Sequence, residues 1–121
     1  MGGSTSTRER EPESFIPLKP RVFLMLLSLV QQQAHGYALK EELLRRTDGR
    51  LNLGPGTLYR TIQSMLRDGL IEESDERPPP EADDERRRYY RVTSLGRRVV
   101  AAEAERLKVL VQVARDERLI G

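Results

Sequence analysis

Eight of the nine residues from Val22 to Val30 are apolar, with Ser28 the only break. The run is far short of the roughly 20 residues a membrane span requires. Read as a helix over about Lys19 to Gln33, it is apolar on nearly every side. A helix apolar all round is buried all round. Pro17 and Pro20 bracket its start, where a missing N–H costs nothing. The other elements of a 121-residue chain must therefore cover it, and the chain is lean: 37% hydrophobic and 33% charged. One domain with a modest core is predicted, and burial of this helix in a dimer would help so small a unit. The run thus implies a core and a partner surface together, with Phe23 and Leu27 as candidate interface residues.

Several function classes fall away on composition. There is no Cys, which removes disulfides, thiolate metal sites and cysteine nucleophiles. The single His, His35, excludes a multi-His metal site within one chain. No nucleophile, base and orienting group can be assembled, so neither an enzyme nor a cofactor is expected. The first 20 residues lack an apolar signal-peptide core, which predicts a cytoplasmic protein with no membrane partner. Residues 1–14 are polar without periodicity, and a disordered tail is expected over residues 1–16.

Ala34-His35-Gly36 interrupts the first helix pattern, and a second helix is predicted over about Tyr37 to Arg46, stopped by Asp48-Gly49. His35 sits in the intervening turn, where capping is its expected role. Gly54-Pro55-Gly56-Thr57 opens a third helix, to about Asp68, with Gly69 as its stop. Leu58, Ile62, Met65 and Leu66 share the buried arc at about 100° per residue. Thr57, Arg60, Thr61 and Ser64 share the opposite arc, with Arg67 on its margin and Tyr59 at the boundary. That face is small, polar and basic, and carries no acid. Hydroxyls with Arg suit a DNA groove, where they can meet phosphates and base edges.

Leu70–Glu73 and Arg88–Thr93 read as two short strands, joined by a long loop, Ser74–Arg86, that contains Pro78-Pro79-Pro80. Alternation sends Tyr90 and Val92 to one face and Arg87, Tyr89 and Arg91 to the other. Charge is zoned along the chain: Arg50–Arg67 has three basic residues and no acid, Asp68–Glu85 has nine acids and one Arg, and Arg86–Arg98 has six Arg and no acid. The basic zones suit a polyanion. A last helix, about Ser94 to Leu119, can be capped by Thr93 or Ser94. Val100, Ala104, Leu107, Val111 and Ala114 recur along it at spacings of 4, 3, 4 and 3, with Leu110 on the same side. This coiled-coil-like seam predicts a homodimer.

The order helix, helix, helix, strand, loop, strand, helix is that of a winged helix-turn-helix: mainly α, with a small two-stranded β-wing and a C-terminal dimerisation helix. The divisions are residues 17–93 for the DNA-binding domain and 94–121 for the dimer helix. Gly56-Thr57-Leu58-Tyr59 with Gly69-Leu70-Ile71 resembles the recognition helix and first wing strand of the PadR-like transcriptional regulators. Arg87-Arg88-Tyr89-Tyr90-Arg91-Val92-Thr93 followed by Gly96 resembles that family's second wing strand and helix entry. His35-Gly36-Tyr37-Ala38-Leu39 resembles its turn into helix two. The resemblance spans about Pro20 to Gly96, and more loosely the last helix. It implies a homodimeric repressor that binds double-stranded DNA through Tyr37, Thr57, Tyr59, Arg60, Thr61, Ser64, Arg67 and a basic wing. Some members of the family respond to small aromatic effectors, and nothing in the sequence identifies one. The loop departs from the pattern: Glu81, Asp83, Asp84 and Glu85 stand where a short basic tip is expected, leaving Arg86, Arg87 and Arg88 as wing contacts. A winged-helix protein-interaction module without sequence-specific DNA binding is the alternative, supported by a net charge of only +2 and the acidic loop.

Overall fold

The apolar run at Val22–Val30 organises the domain as helix α1, Pro20–Gln31. In the computed structural model, which describes residues 11–74 and 88–121, Met25, Leu26 and Leu29 of α1 lie in the centre of the core. Helix α2, Gly36–Arg46, adds Leu39 and Leu43. Helix α3, Pro55–Arg67, adds Ile62 and Met65. The far side of α1, with Phe23, Leu27 and Val30, is only half-buried. Its all-round apolar character is thus half consumed by the protomer.

Local signals terminate the helices as their chemistry dictates. Asp48 and Gly49 both take positive φ, 53° and 80°, and turn the chain out of α2. Gly69, at φ 78°, ends α3, with Gly69 N donating to Leu66 O and Leu70 N to Met65 O. His35 is the α2 cap: its Nδ1 accepts from Ala38 N at 3.1 Å, and its ring stands edge-on to Tyr89 with centroids 5.2 Å apart. His35→Ala is expected to cost about 1 kcal/mol through loss of the cap. His35→Asn restores the acceptor but not the ring contact and falls between the two, as read by urea denaturation.

Among the described residues the sheet has three strands, one more than the expected two-stranded wing. Strand β1, Ala34–His35, pairs antiparallel with β3, Tyr89–Val92. Strand β2, Ile71–Glu73, pairs with the other edge of β3, placing Ile71 opposite Val92 and Glu72 opposite Arg91. Tyr90 and Val92 are buried and Arg91 is exposed, the alternation expected of a strand covered on one face. The connecting segment, with Arg86, Arg87 and the acidic residues, lies outside the described residues.

Helix α4, Ser94–Asp116, is capped by Thr93, whose hydroxyl accepts from Gly96 N at 3.0 Å. Its first half belongs to the core, not to a separate dimer segment: Gly96, Val99, Val100 and Glu103 are buried. Val100, placed in the dimer seam by its spacing, is therefore an intramolecular core residue. Part of the supposed tail is also structured. Pro12–Phe15 form a 3₁₀ turn that packs against α4, and the Leu18 N–H donates to the buried Glu103 carboxylate at 3.0 Å. Arg106, hydrogen-bonded to that carboxylate, is the main influence that holds Glu103 below its ordinary range, against the opposing effect of burial.

Candidate nucleic-acid interface

Helix α3 begins at Gly54-Pro55 with no side-chain cap and no acid in its first turn, leaving the positive end of its dipole uncompensated by charge. Along it, Gly56, Tyr59, Arg60 and Arg67 are exposed, while Thr61, Ile62 and Met65 are buried. At about 100° per residue, Gln63 falls between Tyr59 and Arg67 on the exposed side. The outward surface is therefore centred on Gly56, Gln63 and Arg67, roughly a quarter-turn from the Thr57–Thr61–Ser64 arc that polarity suggests.

The reason is a neighbour. Phe15, Leu18, Arg21 and Val22 cross the flank of α3 and enclose, with Thr57, Arg60, Thr61 and Ser64, a groove of about 410 Å³. Thr61 is 5% exposed; its hydroxyl donates to Thr57 O at 2.7 Å and accepts from Arg21 Nε at 3.0 Å. Thr61, expected among the base contacts, is thus buried at the floor of the groove with its hydroxyl engaged on both sides. Thr57 and Ser64 line the groove at the margin of the outer face. Arg60 folds back over the first turn, where Gly56 leaves room: a Cβ there would stand 3.2 Å from Arg60 Nη1.

On the other flank, Tyr37, Tyr59 and Arg88 converge from α2, α3 and the wing on a slot of about 300 Å³. Tyr37 is 56% exposed and Tyr59 64%. Arg88 Nη1 lies 2.7 Å from Glu73 Oε2, and both side chains are largely exposed. The Glu73 carboxylate holds the Arg88 guanidinium above its ordinary value. Such an exposed pair is weak and screened by salt, so Glu73 can be exchanged for another anion. The face thus combines phenol and amide hydrogen-bonding groups with three guanidinium groups. Gln63 was not legible as part of it, because a neutral amide leaves no mark in a charge pattern.

The long helix presents a second surface. Leu110, Val111 and Val113 are exposed, as is Val109; Ala104 is exposed, and Leu107 and Ala114 are intermediate. Val99, Glu103, Leu110 and Ala114 fall on one side of α4 at about 100° per residue. The side buried in the protomer near Val99 therefore continues uncovered beyond it. Among the described residues, no helix is long and apolar enough to cross a membrane, and no group of three or more potential metal ligands occurs.

Three helices, with α3 presented at the surface beside a three-stranded wing, make a winged helix-turn-helix. The family model described as the transcriptional regulator PadR-like family matches residues 25–102, and the chain belongs to that family of DNA-binding regulators. Among solved structures, a PadR family regulator from Clostridium difficile is similar with a TM-score of 0.67 at 19% identity, over 81% of this chain and 97% of that one. A PadR-like regulator from Bacillus cereus is similar with a TM-score of 0.66 at 20% identity, over 83% and 91%. A transcriptional regulator from Clostridium thermocellum is similar with a TM-score of 0.66 at 21% identity, over 79% and 87%. No curated protein matches significantly.

Proposed function

We propose that this protein is a homodimeric repressor that occupies a pseudo-palindromic operator, with α3 of each protomer in a major groove. The observation that carries the reading is the outward face of α3, with Tyr59, Arg60, Gln63 and Arg67 exposed or half-exposed and no acid among them. Tyr37 and Arg88 extend that face toward the backbone on one flank, and Thr57 and Ser64 on the other. Arg60 is the leading candidate for a guanine contact and Gln63 for an adenine contact, the pairings their donor and acceptor geometry favours. Arg86 and Arg87 would add phosphate contacts from the wing.

The dimer is supported by the uncovered apolar side of α4 at Leu107, Leu110, Val111 and Ala114, together with the half-buried Phe23 and Leu27 of α1. A second copy brings two α3 helices to half-sites about 34–36 Å apart. A small aromatic effector would find room in the groove between residues 15–22 and α3, over Phe15, Val22 and Met65, and would draw Arg60 away from DNA.

Genomic fragments retained by the protein are expected to share a two-fold symmetric element and to include the region upstream of its own gene. Fragments with no shared element would contradict the reading. Arg60→Ala should weaken binding to the recovered site by about 1–3 kcal/mol and relax preference at one position per half-site. Equal loss on every sequence would instead make Arg60 a phosphate contact.

A further inference from the structure

The chain entering α1, from Leu18 to Arg21 in its first turn, makes directional bonds to two other helices. At one end, Leu18 N donates to Glu103 Oε2 at 3.0 Å. Glu103 is 1% exposed, and Arg106 grips both of its oxygens, at 2.7 and 2.9 Å. Three residues further on, Arg21 Nε donates to Thr61 Oγ1 at 3.0 Å. Thr61, itself buried, passes the connection to the Thr57 carbonyl at 2.7 Å. A short stretch of chain therefore ties the middle of α4 to the middle of α3.

A buried carboxylate is a poor means of stabilising a fold, since apolar replacements of similar volume are often neutral or better. What it adds is direction. Apolar packing tolerates small rearrangements and loses uniqueness before it loses stability, whereas hydrogen bonds weaken steeply away from their preferred angles. We propose that Glu103 and Arg21 are positioning residues that fix the angle of α3 against α4, and thereby the half-site spacing that the dimer accepts.

The proposal rests on the dimeric DNA-binding reading above. One base pair more or less between half-sites moves a recognition helix by roughly 3.4 Å and rotates its groove by roughly 35°. A dimer whose α3–α4 angle is fixed cannot follow that change; one whose angle is loosened can follow it in part.

The test uses the full chain and a set of DNA duplexes. Each carries two copies of the half-site selected from random DNA by the wild-type protein, with spacers varied one base pair at a time. The wild type is expected to favour one spacing. In Arg21→Ala, and separately in Glu103→Leu, its advantage over the neighbouring spacings is expected to shrink by roughly fivefold to tenfold, as one of the two links between α3 and α4 is cut in each protomer. Base preferences within a half-site should remain those of the wild type. Arg21→Lys, which can still donate to Thr61, should restore the wild-type spacing profile.

An unchanged spacing profile in Arg21→Ala overturns the proposal. So does a profile that broadens only together with lost half-site preference, because that reports general loosening of the domain. A wild type that selects no paired half-sites overturns the underlying DNA-binding reading itself, and the positioning role with it.

Discussion

Gly96→Ala is expected to destabilise the domain by about 3 kcal/mol or more, at or beyond the upper end of the usual range for overpacked cores. Gly96 lies in the first turn of α4 where it crosses the sheet. A Cβ there would stand 2.1 Å from the Leu70 carbonyl oxygen and 2.7 Å from Val92 Cγ2. The first of these is backbone and cannot step aside, since Leu70 O accepts from Thr93 N and from Thr93 Oγ1, both at 3.0 Å. Thr93 in turn caps α4 through Gly96 N, so moving any one group disturbs the other two. Small domains hold roughly 5–15 kcal/mol in total, and this change removes a large share. Gly69→Ala serves as the contrast. Gly69 has φ 78° with nothing within 4 Å of an added Cβ, so its cost is left-handed backbone strain alone, about 1–2 kcal/mol. Urea denaturation should order the variants as wild type, Gly69→Ala, Gly96→Ala. A Gly96→Ala midpoint above that of Gly69→Ala would contradict the packing described at this corner.

Leu110→Glu should convert the proposed homodimer to a monomer while leaving the protomer folded. Leu110 is 51% exposed, so the protomer loses little by the change. In the dimer, the carboxylate would be buried against the partner helix, and burying an unpaired charge costs several kcal/mol. The monomer would then engage one half-site at a time. Losing the effective concentration that links two half-sites is expected to weaken operator binding by roughly 10²–10⁴-fold. Light scattering gives the mass, and titration with a single half-site checks that α3 is intact. A Leu110→Glu protein that remains a dimer would move the interface elsewhere, with the far side of α1 as the next surface to test.

The elements that the sequence announced were those with a local signature. The apolar run of α1, the paired positive-φ residues after α2, the Gly69 stop and the Tyr90/Val92 alternation each depend on residues close in sequence. The elements that escaped depend on distant partners. Strand β1 has two residues, too few for any periodicity, and exists because β3 offers it an edge. The outward face of α3 lies about a quarter-turn from the arc its polarity predicts because residues 15–22, some forty positions earlier, pack beside Thr61. Glu103, a carboxylate on a long charged helix, carries no local mark of burial, and the Leu18 N–H that meets it comes from 85 positions earlier. Val100 fits a coiled-coil spacing equally well whether its neighbour is the same protomer or another. The family motifs put Tyr37 and Tyr59 among the expected DNA contacts, and both side chains are exposed; Gln63 has neither charge nor motif to mark it.

The central claim is sequence-specific recognition of DNA by α3, and competition between the selected operator and scrambled DNA of the same composition tests it most directly. At physiological salt the operator is expected to bind at least about 10³-fold more tightly, with both affinities falling steeply as salt rises. Equal affinity for the operator and scrambled DNA across the salt range would contradict the account.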